Sequence, residues 1–215
     1  FRRVLFRSLG KTLQTIALLL KIKREKSDFF QHVPSGDPLQ YSLFDQPVPT
    51  TKNQPASLIV LPTSLVHNWE NEFGKFAPSL KIYKHIGSSR NKTNSLASLI
   101  DYYDVILTSY GTLRNDVEML AAYEFWYLIL DESQNIKNST SKTYKSILEI
   151  RSKYKLVITG TPIENSLSDL WSQLNFLNKG MLGSEPYFKR EFITPIEKHA
   201  DEQQQLKLQK MIRSF

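Results

Sequence analysis

Residues 127–138, Tyr-Leu-Ile-Leu-Asp-Glu-Ser-Gln-Asn-Ile-Lys-Asn, decide how the rest of the chain is read. Leu128, Ile129 and Leu130 form a short apolar run preceded by Trp126 and Tyr127. A run that does not alternate with polar residues fits a strand buried on both faces of a parallel sheet. It stops at Asp131-Glu132. Open α/β sheets bind their ligands at the carboxyl ends of strands. There, one carboxylate can hold Mg2+ and its neighbour can orient or deprotonate an attacking water. Taken alone, Asp-Glu is equally a solvated acidic turn, so the weight must come from elsewhere in the chain.

At 215 residues, with 40% hydrophobic and 23% charged residues, the chain is an ordinary globular sequence of one or two domains. No run of 18 apolar residues is present, so no membrane span or membrane partner is expected. The stretch 16–20 is too short for a signal peptide and has no small-residue cleavage site. Cysteine is absent, which excludes disulfides and Cys-based zinc sites and fits a reducing cytosol. His32, His67, His85 and His199 show no metal-ligand spacing. The net charge of +7 suits an anionic partner, but without Arg2, Arg3 and Arg7 it falls to +4, a mild excess compatible with nucleic acid.

Strand-like and helix-like segments alternate along most of the chain. Gly10-Lys11-Thr12 precedes Leu13, Ile16, Ala17 and Leu20 at helical spacing. Between about 25 and 56, charged residues and then Pro34, Pro38, Pro47, Pro49 and Pro55 predict a long exposed insertion. Strands are expected at 57–61, 81–83, 104–108, 127–130 and 155–159. Helices are expected after Thr63-Ser64, whose hydroxyls offer caps, and at 96–102, 113–120, 139–150 and 166–177. From Gly180 the chain reads as loop and charged helix. Trp69 and Trp171 sit at apolar-face positions and are expected in the core. The alternation predicts an α/β fold, a mainly parallel central sheet with helices on both faces.

Four of these strands end in a polar cluster: Pro62-Thr63-Ser64, Thr108-Ser109-Tyr110, Asp131-Glu132 and Thr159-Gly160-Thr161. A parallel sheet brings all four to one edge. Gly10-Lys11-Thr12, opening a helix, would join them. Such a turn offers N–H groups and an ammonium to phosphates and a hydroxyl to Mg2+. Lys-Thr followed about 120 residues later by Asp-Glu is the pairing that phosphoryl-transfer ATPases use.

At these residues the chain resembles a known family. Gly10-Lys-Thr-Leu-Gln-Thr-Ile-Ala-Leu-Leu, Leu61-Pro-Thr-Ser-Leu-Val-His-Asn-Trp-Glu-Asn-Glu-Phe, Thr108-Ser-Tyr-Gly-Thr-Leu-Arg, Leu130-Asp-Glu-Ser-Gln-Asn-Ile-Lys-Asn and Ile158-Thr-Gly-Thr-Pro-Ile-Glu-Asn-Ser-Leu-Ser-Asp-Leu-Trp-Ser closely resemble helicase motifs I, Ia, Ib, II and III of the Swi/Snf-type ATPases. These are superfamily-two, helicase-like DNA translocases. Phe192-Ile-Thr-Pro-Ile-Glu-Lys also resembles that family, and Met211-Ile-Arg-Ser-Phe is similar to the stretch leading to its second lobe.

The resemblance implies a RecA-like P-loop lobe that uses ATP and Mg2+ on double-stranded DNA, with a protein partner on the DNA. Gly10 and Lys11 would meet the β/γ-phosphates, while Thr12 and Asp131 would hold Mg2+. Glu132 would act on the attacking water, with Gln134 near the γ-phosphate. Thr159, Gly160 and Thr161 would couple the ATP site to the DNA groove. Pro62, Thr63, Ser64, Thr108, Ser109 and Tyr110 would meet the DNA backbone, a contact that carries no sequence information and suits a motor. The domain reading is an unmatched start at 1–8, an ATPase lobe at 9–179 and an extension at 180–215. Ser8 stands where the family has the first Gly of its phosphate loop, and 1–7 match nothing, so the start reads as vector-derived. The chain reads as a fragment that is inactive alone, without the upstream adenine-recognising helix or the second lobe's arginine fingers. The insertion and the Asp-Glu-Ser-Gln form of motif II look bacterial, which implies a nucleoid-associated, cytoplasmic location. The alternative is a non-catalytic DNA- or protein-binding module derived from such a lobe.

Overall fold

The computed structural model describes residues 3–6, 10–31, 55–88, 90, 100, 102–136, 138–159 and 166–212. Among the described residues, six strands form one sheet: β1 (Arg3–Phe6), β2 (Ser57–Leu61), β3 (Ile82–His85), β4 (Val105–Ser109), β5 (Glu124–Asp131) and β6 (Arg151–Thr159). Their order across the sheet is β1-β6-β5-β2-β4-β3, and every neighbouring pair is parallel. The central strands explain themselves chemically. All five residues of Ser57–Leu61 and of Val105–Ser109 are buried, and so is the run 127–131 of β5. Strands buried on both faces need the unbroken Val/Ile/Leu composition found here.

Alternate residues of these strands feed two cores. Ile59, Leu61, Val105, Leu107, Ile129 and Ile158 pack with Ile16 and Leu19 of α1 (Lys11–Gln31) and with Trp69 and Phe73 of α2 (Val66–Phe76). On the other face, Leu58, Val60, Ile106, Leu128, Leu130 and Val157 meet α3 (Tyr110–Asn115), α4 (Val117–Ala121), α5 (Lys142–Glu149) and α6 (Leu167–Leu177). α7 (Glu185–Phe188), a wide π-type helical turn (Lys189–Lys198) and α8 (Glu202–Ile212) extend this second core through Phe188, Phe192 and Leu208. Among the described residues, no helix is long and apolar enough to cross a membrane.

Four differences from the sequence reading have physical causes. Motif matching leaves residues 1–8 unassigned, yet Arg3–Phe6 runs as an edge strand against β6, with Arg3 opposite Leu156 and Phe6 opposite Thr159. Val4-Leu5-Phe6 supplies the β-propensity. α1 runs on to Gln31, through the charged stretch read as loop, because Lys, Arg and Glu are good helix formers. The remainder of the expected insertion, 32–54, and most of the helix expected at 96–102 lie outside the described residues. The single helix expected over 113–120 is two, broken at Asp116 with φ −115° and ψ 22°. Finally, Thr63 and Ser64 do not cap α2. They lie in a separate 3-10 turn (Thr63–Leu65), and the helix starts after Leu65 without a side-chain cap.

Candidate functional site

Because all six strands run parallel, their carboxyl ends Phe6, Thr159, Asp131, Leu61, Ser109 and His85 line one edge of the sheet. The first helix begins on that edge. Gly10 has φ +104°, a conformation that favours glycine, and its carbonyl accepts the first helical bond, from Gln14 N at 2.8 Å. The N–H groups of Lys11, Thr12 and Leu13 precede that bond in the helix, and donors at such a terminus are of the kind that can receive an anion.

Asp131 is the most constrained residue of the edge. Only 7% exposed, it receives the Trp69 indole N–H on Oδ2 at 2.7 Å and the backbone N–H of Glu132 on Oδ1 at 2.9 Å. Its carbonyl accepts the Tyr110 hydroxyl at 2.7 Å. Burial pushes its carboxyl above the ordinary carboxylate value. The Trp69 and Glu132 hydrogen bonds oppose that push, the Glu132 charge adds to it, and the Lys11 ammonium pulls the carboxyl back down. Glu132, half-buried, has φ +50°. A left-handed glutamate is strained backbone, which persists where surrounding bonds over-determine it and clusters at functional sites.

The donor set fits Mg2+. The cation prefers hard oxygen ligands and, with phosphate groups and water present, takes only one or two carboxylates. The Asp131 carboxylate and the Thr12 hydroxyl are donors of that type, at the end of β5 and the start of α1. Among the described residues no group of three His, Cys, Asp or Glu could form an all-protein metal cage.

The hydroxyl clusters divide. Thr63 and Ser64 are exposed on their turn, half-buried Pro62 leads into it, and these three stand where a ligand of the edge can reach them. Thr108, Ser109 and Tyr110 are buried and hydrogen-bonded inside the protein. Thr108 Oγ1 donates to the His85 carbonyl at 3.0 Å. Ser109 is the N-cap of α3, its Oγ accepting from Thr112 N at 3.1 Å. Tyr110 is committed to Asp131 and stays protonated, since burial and the charges of Asp131 and Glu132 hold its hydroxyl well above the ordinary tyrosine value. The residues α3 does expose are Gly111, Arg114 and Asn115. Arg114, missed in the sequence reading, could have been suspected as a cation one helical turn beyond a strand end. Thr159 is buried at the end of β6. Gly160, Thr161 and the side chain of Gln134 lie outside the described residues.

A parallel sheet with a glycine turn opening its first helix, and an Asp-Glu pair at the end of a central strand, has the architecture of a RecA-like lobe. The SNF2-related domain model matches residues 7–215. YwqA of Bacillus subtilis (strain 168), which carries an ATP-dependent helicase/translocase name, is 36% identical over 207 residues, 96% of this chain and 20% of YwqA. The TATA-binding protein-associated factor MOT1 of Saccharomyces cerevisiae is 38% identical over 188 residues, 87% of this chain and 9% of MOT1. The Sulfolobus solfataricus SWI2/SNF2 ATPase core in complex with dsDNA superposes with a TM-score of 0.78 at 36% identity, over 100% of this chain and 39% of that one. The chain belongs to the SNF2 family of ATP-dependent helicases and translocases. It spans a fifth or less of the length of these two relatives.

Proposed function

We propose that this chain is the first ATPase lobe of a double-stranded DNA translocase, in which ATP hydrolysis drives movement along the duplex. The observation that carries the reading is the Asp131-Glu132 pair. Its first carboxylate is oriented by two hydrogen bonds, and its second sits in a strained backbone conformation at the open edge.

The roles follow from the chemistry of each group. Gly10, Lys11 and Thr12 receive the β/γ-phosphates through N–H groups and the ammonium. Thr12 and Asp131 would hold Mg2+, which would supply charge neutralisation at the phosphates. Glu132 orients the attacking water and accepts its proton, with Gln134 nearby. Pro62, Thr63 and Ser64 meet DNA phosphates, and so does the Thr108-Ser109-Tyr110 strand end, through the exposed Gly111 and Arg114 that follow it, contacts that leave the protein free to move from one sequence to the next. Thr159, Gly160 and Thr161 link this edge to the nucleotide. A DNA-bound protein is the load such a motor displaces. The 215 residues alone turn over ATP poorly, because charge developing at the γ-phosphate needs stabilising groups beyond those of this lobe, which in related hydrolases contribute about 10³ to 10⁵ in rate.

The test is nucleotide binding by calorimetry with Mg2+ and a slowly hydrolysed ATP analogue, in the full-length protein. Binding that survives Glu132→Gln but is lost in Lys11→Ala is the expected result. Equal binding in all three proteins would remove the phosphate role from Lys11 and point to the non-catalytic alternative.

A further inference from the structure

Two surface turns on the sheet edge converge on one buried residue. Thr63 and Ser64 are exposed on the turn that leads into α2, and five residues beyond Ser64 the same helix carries Trp69, 1% exposed. Its indole N–H reaches the Asp131 carboxylate at 2.7 Å. Gly111 is exposed at the start of α3, and the residue before it, Tyr110, donates to the Asp131 carbonyl, also at 2.7 Å. Each turn therefore has one direct bond to Asp131, through one side chain.

These bonds act on the two atoms that define the site. Trp69 holds Oδ2 while Glu132 N–H holds Oδ1, so the carboxylate plane is fixed. Tyr110 holds the carbonyl of the 131–132 peptide, whose N–H is bound by Asp131 Oδ1, so that peptide is tethered at both ends. This is the peptide that carries Glu132 at φ +50°. Hydrogen bonds to an ionised carboxylate are shorter and stronger than neutral ones, and in a low-dielectric interior linked hydrogen bonds reinforce one another, so a donor that moves acts on its acceptor.

We propose that Trp69 and Tyr110 are positioning residues that transmit DNA contact at the two turns to Asp131 and Glu132. DNA on Thr63-Ser64 shifts α2 and with it the indole N–H, and DNA at Gly111 shifts the start of α3 and with it the Tyr110 hydroxyl. Neither side chain touches DNA or nucleotide. The assignment rests on the translocase reading given above and adds the route by which duplex stimulates hydrolysis.

The experiment compares the full-length wild type with Tyr110→Phe, which removes one oxygen, and Trp69→Phe, which keeps an aromatic ring against Phe73 but removes the donor. Hydrolysis is measured against duplex and Mg2+ concentration, and duplex affinity separately by anisotropy. Tyr110→Phe is expected to bind duplex within about twofold of wild type while stimulation by duplex falls about 10- to 100-fold, the usual effect of losing a residue that orients a metal ligand. Trp69→Phe is expected to raise the half-saturating Mg2+ by a similar factor. A purely structural role would lower folded protein, not this split between binding and stimulation. A readout without turnover is the indole N–H resonance of Trp69, one of three tryptophans, in the 215-residue chain. It should move on adding duplex with no nucleotide present. Stimulation as in wild type in Tyr110→Phe, or an indole signal indifferent to saturating duplex, overturns the relay even if Trp69→Phe does not fold. Absence of duplex-stimulated hydrolysis in the wild type itself would instead remove the translocase function on which the relay rests.

Discussion

Asp116→Ala tests the packing of the edge beside the site. Asp116, at the break between α3 and α4, accepts from Arg90 Nε and Nη2 and shares a 2.9 Å hydrogen bond with His85 Nε2. His85 ends β3 and its side chain is fully buried, while Arg90 and Asp116 side chains are 12% and 11% exposed. Arg90 also donates to the Gly87 carbonyl at 2.6 Å, so the network fastens the turn after β3 to the helices after β4. Removing one partner of a buried, hydrogen-bonded ion pair costs about 3–5 kcal/mol. Both charges retain some solvent, so the lower end applies, about 3 kcal/mol. With a urea slope near about 3 kcal/mol/M, the unfolding midpoint should drop by about 1 M. Asp116→Asn, which keeps one acceptor, should lose roughly half of that. A midpoint within about 0.3 M of wild type in Asp116→Ala would refute the claim that this network fixes the edge.

Further outcomes follow from the same structure. Burial lowers the His85 pKa, against the opposing pull of Asp116, so the unfolded chain binds more protons than the folded one below the ordinary histidine value. Stability from this group is therefore complete above about pH 6.5 and declines as pH falls below it; urea titrations at pH 7.5 and 5.5 should show the loss, and His85→Asn should shrink it. Leu128→Ala, at a fully buried position of β5, should cost about 2–5 kcal/mol in the same assay, and a cost under about 1 kcal/mol would mean the strand is not central. Duplex binding should be insensitive to sequence, with a log–log salt slope of about −0.9 per phosphate contact, and Arg114→Ala should reduce that slope by about one contact. Sequence-selective binding indifferent to salt would contradict the backbone-tracking role.

What could be read from the residues was the sheet and its edge. Unalternating runs such as 57–61 and 127–130 identify strands buried on both faces, and alternation with helices makes the sheet parallel, which sends every strand-end cluster to one side. Whether a hydroxyl there faces outward was not legible, because it depends on how soon the next helix begins. After β4 the helix starts at once, and Ser109 is consumed as its cap. After β2 a 3-10 turn intervenes, and Thr63 and Ser64 stay exposed. Trp69 was legible as core from its helical spacing, but its bond to Asp131 joins positions 62 residues apart, and no local pattern announces that. Arg3–Phe6 escaped because a family motif was sought where only β-propensity was present.

The central claim is tested most directly by steady-state ATP hydrolysis of the full-length protein across a titration of duplex DNA, with Glu132→Gln beside it. The amide keeps the shape of the side chain and loses its basicity. Turnover that rises with duplex in the wild type and stays at background in Glu132→Gln, with ATP still bound, is the predicted result. Near-normal, duplex-stimulated turnover in Glu132→Gln would contradict the assignment of Asp131-Glu132 as the hydrolytic centre.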